Sequence, residues 1–356
     1  MSKTRKVKIG GLVIGGGERI AVQSMTNTDT HDFEACLRQV RALEAEGCDI
    51  VRLAVPDIKA VSTIERLKNA DVRVPLVADI HFDYRIAIEC ANAGVDKIRI
   101  NPGNIGDDEK VRAVANICAA KNIPIRIGVN SGSLEKSILE RYGSPTAEAL
   151  AESALYHASL LERFDFDNIV LSVKSSNVKT MINANRYLSE RVDYPLHLGV
   201  TEAGTERQGL IKSSAGIGSL LCDDIGDTIR ISLTADPTDE VRSAKALLKA
   251  IGRSGANTIN IVSCPTCGRT KINLIELVHR FEEIADTRLR VGRPITVAMM
   301  GCVVNGPGEA READIGVAGG IGEAILFKKG EIVRKIPEDL IIETLVAEIE
   351  KMFGIK

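Results

Sequence analysis

The sequence contains no tryptophan, and aromatic residues make up only 3% of its 356 residues. Proteins that bind single-stranded nucleic acid stack the bases on exposed aromatic rings, so this composition argues against that function. The formal net charge is −2, which creates no overall field that attracts nucleic acid or an anionic membrane. We therefore expect neither a nucleic acid nor a membrane as a partner.

Long apolar runs and common nucleotide-binding motifs are also missing. No run of about 18 apolar residues, the length of a membrane-spanning helix, occurs, and the basic residues 1–6 lack the apolar segment of a signal peptide. Eight cysteines without a secretory signal indicate reduced thiols in the cytoplasm. The absence of Gly-x-Gly-x-x-Gly and of any Gly-Lys pair argues against a doubly wound dinucleotide fold and against a P-loop.

Residues 1–254 alternate short Val/Ile/Leu-rich runs with longer amphipathic runs. Eight short runs have the character of strands buried on both faces of a parallel sheet, and they span 20–24, 50–55, 75–80, 97–101, 124–129, 168–173, 195–200 and 228–233. Helical patterns separate them, although the segment 206–221 is unclear. Eight β-α units in this length predict an α/β fold, the (β/α)8 TIM barrel, over residues 1–254.

A second unit follows at residues 255–356. Its strand-like runs span 258–262, 295–299, 315–318, 324–327 and 332–335, and its helical patterns span 274–285 and 337–353. This order predicts a small α+β domain.

Positively charged residues stand near the C-terminal ends of several predicted strands. Three strands carry the pattern Ile-Arg-Ile, in which alternation places the arginine on the face opposite its neighbours. The cations are Arg52, Arg99, Arg126, Lys174 and Arg230, and the polar residues near the same ends are Asp79, His81, Asn101, Asn130, His197, Glu202 and Ser232. Buried cations are costly without an anion, and these strand ends line barrel active sites. We therefore predict a site for a phosphorylated small molecule, such as a diphosphate.

Other interpretations of this cluster stay open at this point. Each arginine could pair with a structural acid or face solvent. Lys174 could form a Schiff base, as in barrel aldolases, with a structural metal module in the second domain. A third, non-catalytic possibility is a metal-stabilised module that binds a partner protein.

The eight cysteines fall into two groups. Five lie in or beside helical patterns among apolar residues and are expected in the core, namely Cys36, Cys48, Cys90, Cys118 and Cys222. Cys264 and Cys267 form a Cys-Pro-Thr-Cys motif at a strand end, and Cys302 lies in a Gly/Pro-rich loop with Glu309. The motif alone fits zinc, thiol redox chemistry or an iron–sulfur site. Three thiolates with a carboxylate, a harder and more easily displaced ligand, suit a [4Fe–4S] cluster with one distinctive iron.

Together these motifs resemble the 4-hydroxy-3-methylbut-2-enyl diphosphate synthases, which catalyse the penultimate step of the methylerythritol phosphate route to isoprenoids. The matching segments run from Val-Gln-Ser-Met-Thr-Asn-Thr-Asp at 22–29 to Asn-Gly-Pro-Gly-Glu at 305–309, and they include 76–82, 97–104, 126–134 and 263–269. The resemblance covers essentially the full length. No insert separates the barrel from the second domain, as in the bacterial two-domain form.

The resemblance implies a substrate, 2-C-methyl-D-erythritol 2,4-cyclodiphosphate, whose ring opens with two electrons from reduced flavodoxin or ferredoxin and with loss of a water. It implies that Cys264, Cys267 and Cys302 bind a [4Fe–4S] cluster with Glu309 on the fourth iron. Glu202 is then a proton donor or orienter near the reacting carbons, the cations and Ser232 hold the diphosphate, and Asn130 lies near it. The family resemblance also implies a head-to-tail homodimer, in which the cluster domain of one subunit covers the barrel of the other.

Overall fold

The computed structural model describes residues 4–255, 258–303, 308 and 310–354. The chain divides into two compact units, Met1–Ile251 and Gly252–Lys356. The strands of the described residues are β1 (Val7–Ile9), β2 (Leu12–Ile14), β3 (Ala21–Met25), β4 (Ile50–Ala54), β5 (Leu76–Asp79), β6 (Lys97–Ile100), β7 (Ile125–Asn130), β8 (Ile169–Lys174), β9 (His197–Leu198), β10 (Thr228–Ile229), β11 (Ile259–Ser263), β12 (Ile295–Met300), β13 (Ile315–Gly319), β14 (Glu323–Lys328) and β15 (Glu331–Pro337).

The helices in the same part of the chain are α1 (Phe33–Ala45), α2 (Val61–Lys68), α3 (Tyr84–Asn92), α4 (Pro102–Ile105), α5 (Asp108–Lys121), α6 (Lys136–Tyr142), α7 (Ala147–Glu162), α8 (Val178–Ser189), α9 (Glu206–Cys222), α10 (Pro237–Ala250), α11 (Leu274–Thr287) and α12 (Ile341–Phe353). None of the helices among the described residues combines the length and apolar character needed to cross a membrane.

The first unit is a parallel barrel, which confirms the predicted fold. Its eight strands follow the order β8-β7-β6-β5-β4-β3-β10-β9, and a parallel bridge between Leu171 and Leu196 joins the two ends of that order. Each of the eight predicted strands is present, but β9 and β10 are only two residues long. Arg230 and Ser232 therefore follow the last strand instead of lying within it.

Several helices of the barrel begin at side-chain caps. Asp32 accepts a hydrogen bond from Ala35 N at the start of α1, and Asp236 accepts one from Thr238 N at the start of α10. The unclear segment is helix α9, whose glycines weakened its helical pattern. A Cβ on Gly216 of α9 would lie 2.7 Å from the Met181 side chain of α8, so glycine permits this close helix packing.

The interior of the barrel changes from apolar to polar along its axis. The hairpin β1–β2 covers the N-terminal end, where Val7, Ile9 and Ile14 pack on the first inward residues of the strands, namely Ala21, Ile50, Val77 and Val170. The layer above is polar and at most 1% exposed, and its members include Gln23, Lys97, His197 and Thr228. Apolar layers usually fill a barrel of this type, so this buried polar layer is unusual.

The second unit is built on a mixed sheet with the order β11-β12-β13-β14-β15. Strands β11, β12 and β13 run parallel, whereas β14 and β15 are antiparallel to their neighbours. Helices α11 and α12 cover an apolar core that contains Phe281 and Leu345. The last helix was predicted from residue 337, but Glu338–Leu340 form a 3-10 turn and the α-helix begins at Ile341.

Candidate active site

A cavity of about 260 Å³ opens at the C-terminal ends of the barrel strands. Nine of the residues predicted for the site line it, namely Arg52, Asp79, His81, Arg99, Arg126, Asn130, Lys174, Arg230 and Ser232, and the other lining residues are Met25, Gly128, Ser172 and Thr201. The structure thus brings the whole predicted cationic set together.

Strand alternation explains this convergence. The register pairs Arg99 with Arg126 and Asp79 with Arg99 on neighbouring strands, so the three side chains enter the barrel at similar heights. The flanking isoleucines, such as Ile98 and Ile100, are fully buried in the core cluster. The Ile-Arg-Ile pattern therefore sends apolar residues outward to the helices and arginines inward.

Asp79 is the counter-ion of two of these arginines. Its Oδ1 lies 3.0 Å from Arg99 Nη1, and its Oδ2 lies 3.6 Å from Arg52 Nε. Burial alone would raise the pKa of Asp79, but Arg52, Arg99 and Arg126 lower it to about 2. Asp79 is therefore ionised at neutral pH, and it balances part of the positive charge.

Arg126 is the least satisfied cation. It is 1% exposed, and neither its Nε nor its Nη1 has a hydrogen-bond partner among the described residues. Burial, together with Arg52 and Arg99, lowers the pKa of Arg126 well below its ordinary value. A guanidinium with free N–H groups in a cluster of like charge is strongly unfavourable, and an anion with several acceptor oxygens would satisfy it.

Lys174 lies in the same cluster and is 8% exposed. Burial and the neighbouring Arg52 and Arg126 hold the pKa of Lys174 well below its usual value. Gly199, directly after β9, supplies the room, because a Cβ there would lie 2.7 Å from Lys174 Nζ. Gly128 does the same for Arg99, whose Nε would lie 2.5 Å from an added Cβ.

Three residues of this region were missed by sequence reasoning. Glu240 of α10 forms a bidentate ion pair with Arg230, at 3.0 and 2.9 Å. Met25 Sδ accepts a hydrogen bond from Arg52 Nε at 3.1 Å. Lys97 lies below the cavity and is fully buried. Lys97 precedes Arg99 by two residues in β6, so both side chains point into the barrel. The alternation of the strand could therefore have predicted Lys97 as an inward residue.

Asn101 and His197 do not line the cavity, and their predicted contact with substrate is not supported. Asn101 accepts a hydrogen bond from Gly103 N and caps α4. His197 is fully buried in the polar layer below, where its Nδ1 lies 2.8 Å from Thr228 Oγ1. Burial and the neighbouring Arg126 lower the pKa of His197 well below its usual value. The contact of these two residues with substrate stays a prediction.

Glu202 lies in the loop that follows β9, next to the cavity-lining Thr201. Its side chain is exposed, and its backbone has a φ of 50°. This left-handed conformation is uncommon for glutamate and is found at functional sites. The backbone of Glu202 thus lies beside the mouth of the barrel in a constrained conformation.

The thiols of the second unit follow adjacent parallel strands. Ser263, at the end of β11, pairs with Met299 of β12, so Cys264 and the loop of Cys302 begin at one edge of the sheet. Gly301 N donates a hydrogen bond to Cys264 Sγ at 3.3 Å, and Lys271 N donates one to Gly301 O at 2.9 Å. The two loops are therefore bound to each other.

The donor chemistry at this edge fits an iron–sulfur cluster. A hydrogen bond from the Arg269 backbone lowers the pKa of Cys267 below its usual value, which favours the thiolate. No group of three His, Cys, Asp or Glu side chains in the described part of the chain is close enough to hold a single metal ion. Cys264, Cys267 and Cys302 would supply the thiolate donors that an iron–sulfur cluster takes, on two loops that are hydrogen-bonded to each other. Glu309 lies outside the described residues.

The remaining cysteines were expected in the core, and one of them is not there. Cys36, Cys48, Cys90 and Cys118 are buried free thiols, and burial raises the pKa of Cys48, Cys90 and Cys118 to about 12. Cys222, which was expected in the core, is exposed at the end of α9.

The comparisons with known proteins agree with both units. Residues 4–245 match the profile of the GcpE TIM-barrel domain, and residues 260–351 match that of the GcpE protein C-terminal domain. The chain belongs to the GcpE family. The two matches confirm the predicted order of a TIM barrel followed by a smaller C-terminal domain.

Relatives within the GcpE family match the chain over nearly its full length. A protein of Ruminiclostridium cellulolyticum is 54% identical over 99% of this chain and 98% of its own, and one of Clostridium perfringens is 56% identical over 98% of each. One of Bacillus cereus is 53% identical over 98% of this chain and 94% of its own. All three are named 4-hydroxy-3-methylbut-2-en-1-yl diphosphate synthase (flavodoxin). These names do not favour the Schiff-base aldolase alternative.

Proposed function

We propose that this enzyme converts 2-C-methyl-D-erythritol 2,4-cyclodiphosphate to (E)-4-hydroxy-3-methylbut-2-enyl diphosphate in isoprenoid biosynthesis. The observation that carries the proposal is the cluster of buried cations at the barrel mouth. Among the described residues, two nitrogens of Arg126 have no hydrogen-bond partner. A cyclic diphosphate supplies the two negative charges and the acceptor oxygens that this cluster needs. Full-length relatives that bear the name of this synthase support the same assignment.

The arginines and Lys174 bind and orient the diphosphate in this account. Arg126, Arg52 and Arg99 present planar donor groups that match phosphoryl oxygens, while Asp79 holds two of them in register. The described cations outnumber the carboxylates that pair with them, so the cavity has a net positive charge without ligand. Bound substrate removes this imbalance and excludes water from the site.

The reaction also requires a proton. Conversion of the cyclic dianion to the linear trianion breaks one C–O bond of the ring, consumes two electrons and one proton, and releases one water. Glu202 is the proposed donor of that proton, because it is an exposed carboxyl group in a constrained loop beside the cavity-lining Thr201. His197 is too deeply buried for this role.

The electrons require a redox group, and we propose that Cys264, Cys267 and Cys302, with Glu309, hold a [4Fe–4S] cluster. Such a cluster supplies single electrons and a Lewis-acidic iron when it is bound. The hydrogen bond from Gly301 N to Cys264 Sγ and the lowered pKa of Cys267 support this assignment. Anaerobically purified protein is expected to be brown with about four irons per chain, and a colourless zinc protein would contradict the proposal.

Reduced flavodoxin is the proposed electron donor, because the relatives carry it in their names, and ferredoxin is the alternative. A flavodoxin-dependent reaction with reduced thiols fits an enzyme of the cytoplasm. Competition between the two reduced carriers in a steady-state assay distinguishes them.

We also propose a head-to-tail homodimer, since the cationic cavity and the thiols belong to different units of the chain. The test mixes two inactive variants, Arg126→Met and Cys264→Ser, and allows subunit exchange. A site shared between subunits leaves one intact site in each heterodimer, so about a quarter of the wild-type activity returns. A site formed within one subunit leaves every heterodimer inactive, and no recovery would contradict the shared site.

A further inference from the structure

Glu240 stands apart from the other charged residues near the cavity, because it comes from helix α10 and not from a strand end. It is 3% exposed. Its Oε2 accepts hydrogen bonds from Ser24 Oγ at 2.8 Å and Arg230 Nε at 3.0 Å, and its Oε1 accepts from Arg230 Nη2 at 2.9 Å and Leu233 N at 3.2 Å. Both carboxylate oxygens are therefore fully engaged.

The pairing with Arg230 is bidentate, which fixes the plane of the guanidinium. Two parallel N–H···O bonds leave a planar group almost no freedom to rotate. The third nitrogen, Nη1, donates no hydrogen bond to Glu240; it donates one to Met25 Sδ at 3.6 Å, at the cavity wall. Glu240 thus holds one edge of Arg230 and leaves the other edge toward the cavity.

Charge alone does not explain a carboxylate at this position. A negative group beside a site for a dianion weakens long-range attraction to that ligand. Its benefit must come from geometry, because an arginine that is already oriented loses less conformational entropy when it binds the ligand. The two hydrogen bonds from Arg230 to Glu240 are short and bidentate, which is the geometry that fixes the orientation of a guanidinium.

We propose that Glu240 is a positioning residue that orients Arg230 for the diphosphate, an inference that rests on the function proposed above. A different role is conceivable on the same contacts, since the bonds from Ser24 and Leu233 also attach α10 to the barrel. The two roles differ in one respect. Orientation acts only through Arg230, whereas attachment of the helix does not depend on it.

A double-mutant cycle separates the two roles. Binding of the cyclic diphosphate is measured by calorimetry on the oxidised holoenzyme without a reductant, for the wild type, Glu240→Gln, Arg230→Met and the double variant. Orientation predicts that Glu240→Gln weakens binding about tenfold when Arg230 is present and has little effect in the Arg230→Met background. An equal loss in both backgrounds, an unchanged affinity or a tighter affinity for Glu240→Gln would each overturn the inference.

Three further variants make the result specific. Glu240→Asp keeps the charge but shortens the side chain, so it is expected to weaken binding although the net charge is unchanged, and it also serves if Glu240→Gln folds poorly. Ser24→Ala removes a hydrogen bond to Glu240 and leaves the contact between Glu240 and Arg230 in place. This variant is expected to lower the unfolding temperature and to leave the affinity for the cyclic diphosphate almost unchanged. Arg126→Met tests the underlying site by itself. Unchanged affinity in that variant would count against the diphosphate site, independently of Glu240.

Discussion

Replacement of Lys97 by methionine tests the unusual polar interior of the barrel. The Lys97 side chain is fully buried, and its Nζ has a long hydrogen bond of 3.5 Å to Gln23 Oε1. The ion pairs of this site join Asp79 and Glu240 to arginines and leave Lys97 without a carboxylate partner among the described residues. Burial, Arg126 and Arg52 hold the pKa of Lys97 well below its ordinary value.

The expected effect of Lys97→Met is stabilisation. Replacing a poorly compensated buried charge by an apolar side chain of similar volume contributes about 1–4 kcal/mol, so we expect about 2 kcal/mol at pH 7. For a unit of this size that corresponds to a rise in unfolding temperature of about 4–8 °C. The gain depends on pH, because the unfolded lysine stays protonated up to its ordinary pKa while the folded one does not.

The sign of the pH dependence follows from that difference. Between the lowered pKa of folded Lys97 and the ordinary pKa of lysine, folding of the wild type releases a proton, and this penalty shrinks by up to about 1.4 kcal/mol per pH unit as the pH rises. The advantage of Lys97→Met should therefore decrease between pH 7 and pH 10, as measured by urea unfolding at each pH. Lys179→Met, at an exposed position of α8, is the control and should change little. A destabilised Lys97→Met, or a gain that is independent of pH, would refute the reasoning.

Other consequences of the site can be tested in the same way. The pKa of Asp79 in the folded protein is about 2, which is below its value in the unfolded chain. About 2 kcal/mol of folding stability should therefore be present above pH 4 and be lost as the pH falls toward 2. In urea unfolding, Asp79→Asn should lack this part of the acid dependence. Gly128→Ala should displace the Arg99 guanidinium and weaken binding of the cyclic diphosphate about tenfold in calorimetry, whereas Gly132→Ala, where an added Cβ meets nothing within 4 Å, should not. Cys302→Ser should lower the iron content of anaerobically purified protein while its far-UV circular dichroism stays unchanged, and full iron content would exclude Cys302 as a ligand.

Much of the barrel could be predicted from the sequence, because buried parallel strands leave a strong local signal. The runs around Ile98 and Ile125 are short and rich in β-branched residues, and each has an arginine between two isoleucines. This pattern predicted both the strands and the cationic site. The cysteines of the second unit were visible for a similar reason, since Cys264 and Cys267 lie close together in the sequence. Their assignment to a cluster rests on the family, and it stays a proposal.

The rest depended on tertiary contacts that the sequence does not display. Glu240 lies on an amphipathic helix, where a glutamate is expected to face solvent. Packing against β3 and Arg230 buries it instead. Asn101 and His197 stand at strand ends like the true cavity residues, but one caps α4 and the other lies in the layer below the cavity. Strand position alone does not specify the height of a side chain in the barrel. Helix α9 was not predicted, because glycines such as Gly216 weaken its helical pattern. These glycines are needed for the close packing of α9 against α8.

Anaerobic turnover of 2-C-methyl-D-erythritol 2,4-cyclodiphosphate with reduced flavodoxin tests the central claim most directly. Mass spectrometry of the products is expected to show an acyclic diphosphate with one oxygen fewer than the substrate, and oxidation of two flavodoxin hydroquinones to semiquinones for each product formed. Arg126→Met should lose this activity through weaker substrate binding. A brown, iron-loaded enzyme that binds the cyclic diphosphate but forms no such product would contradict the account.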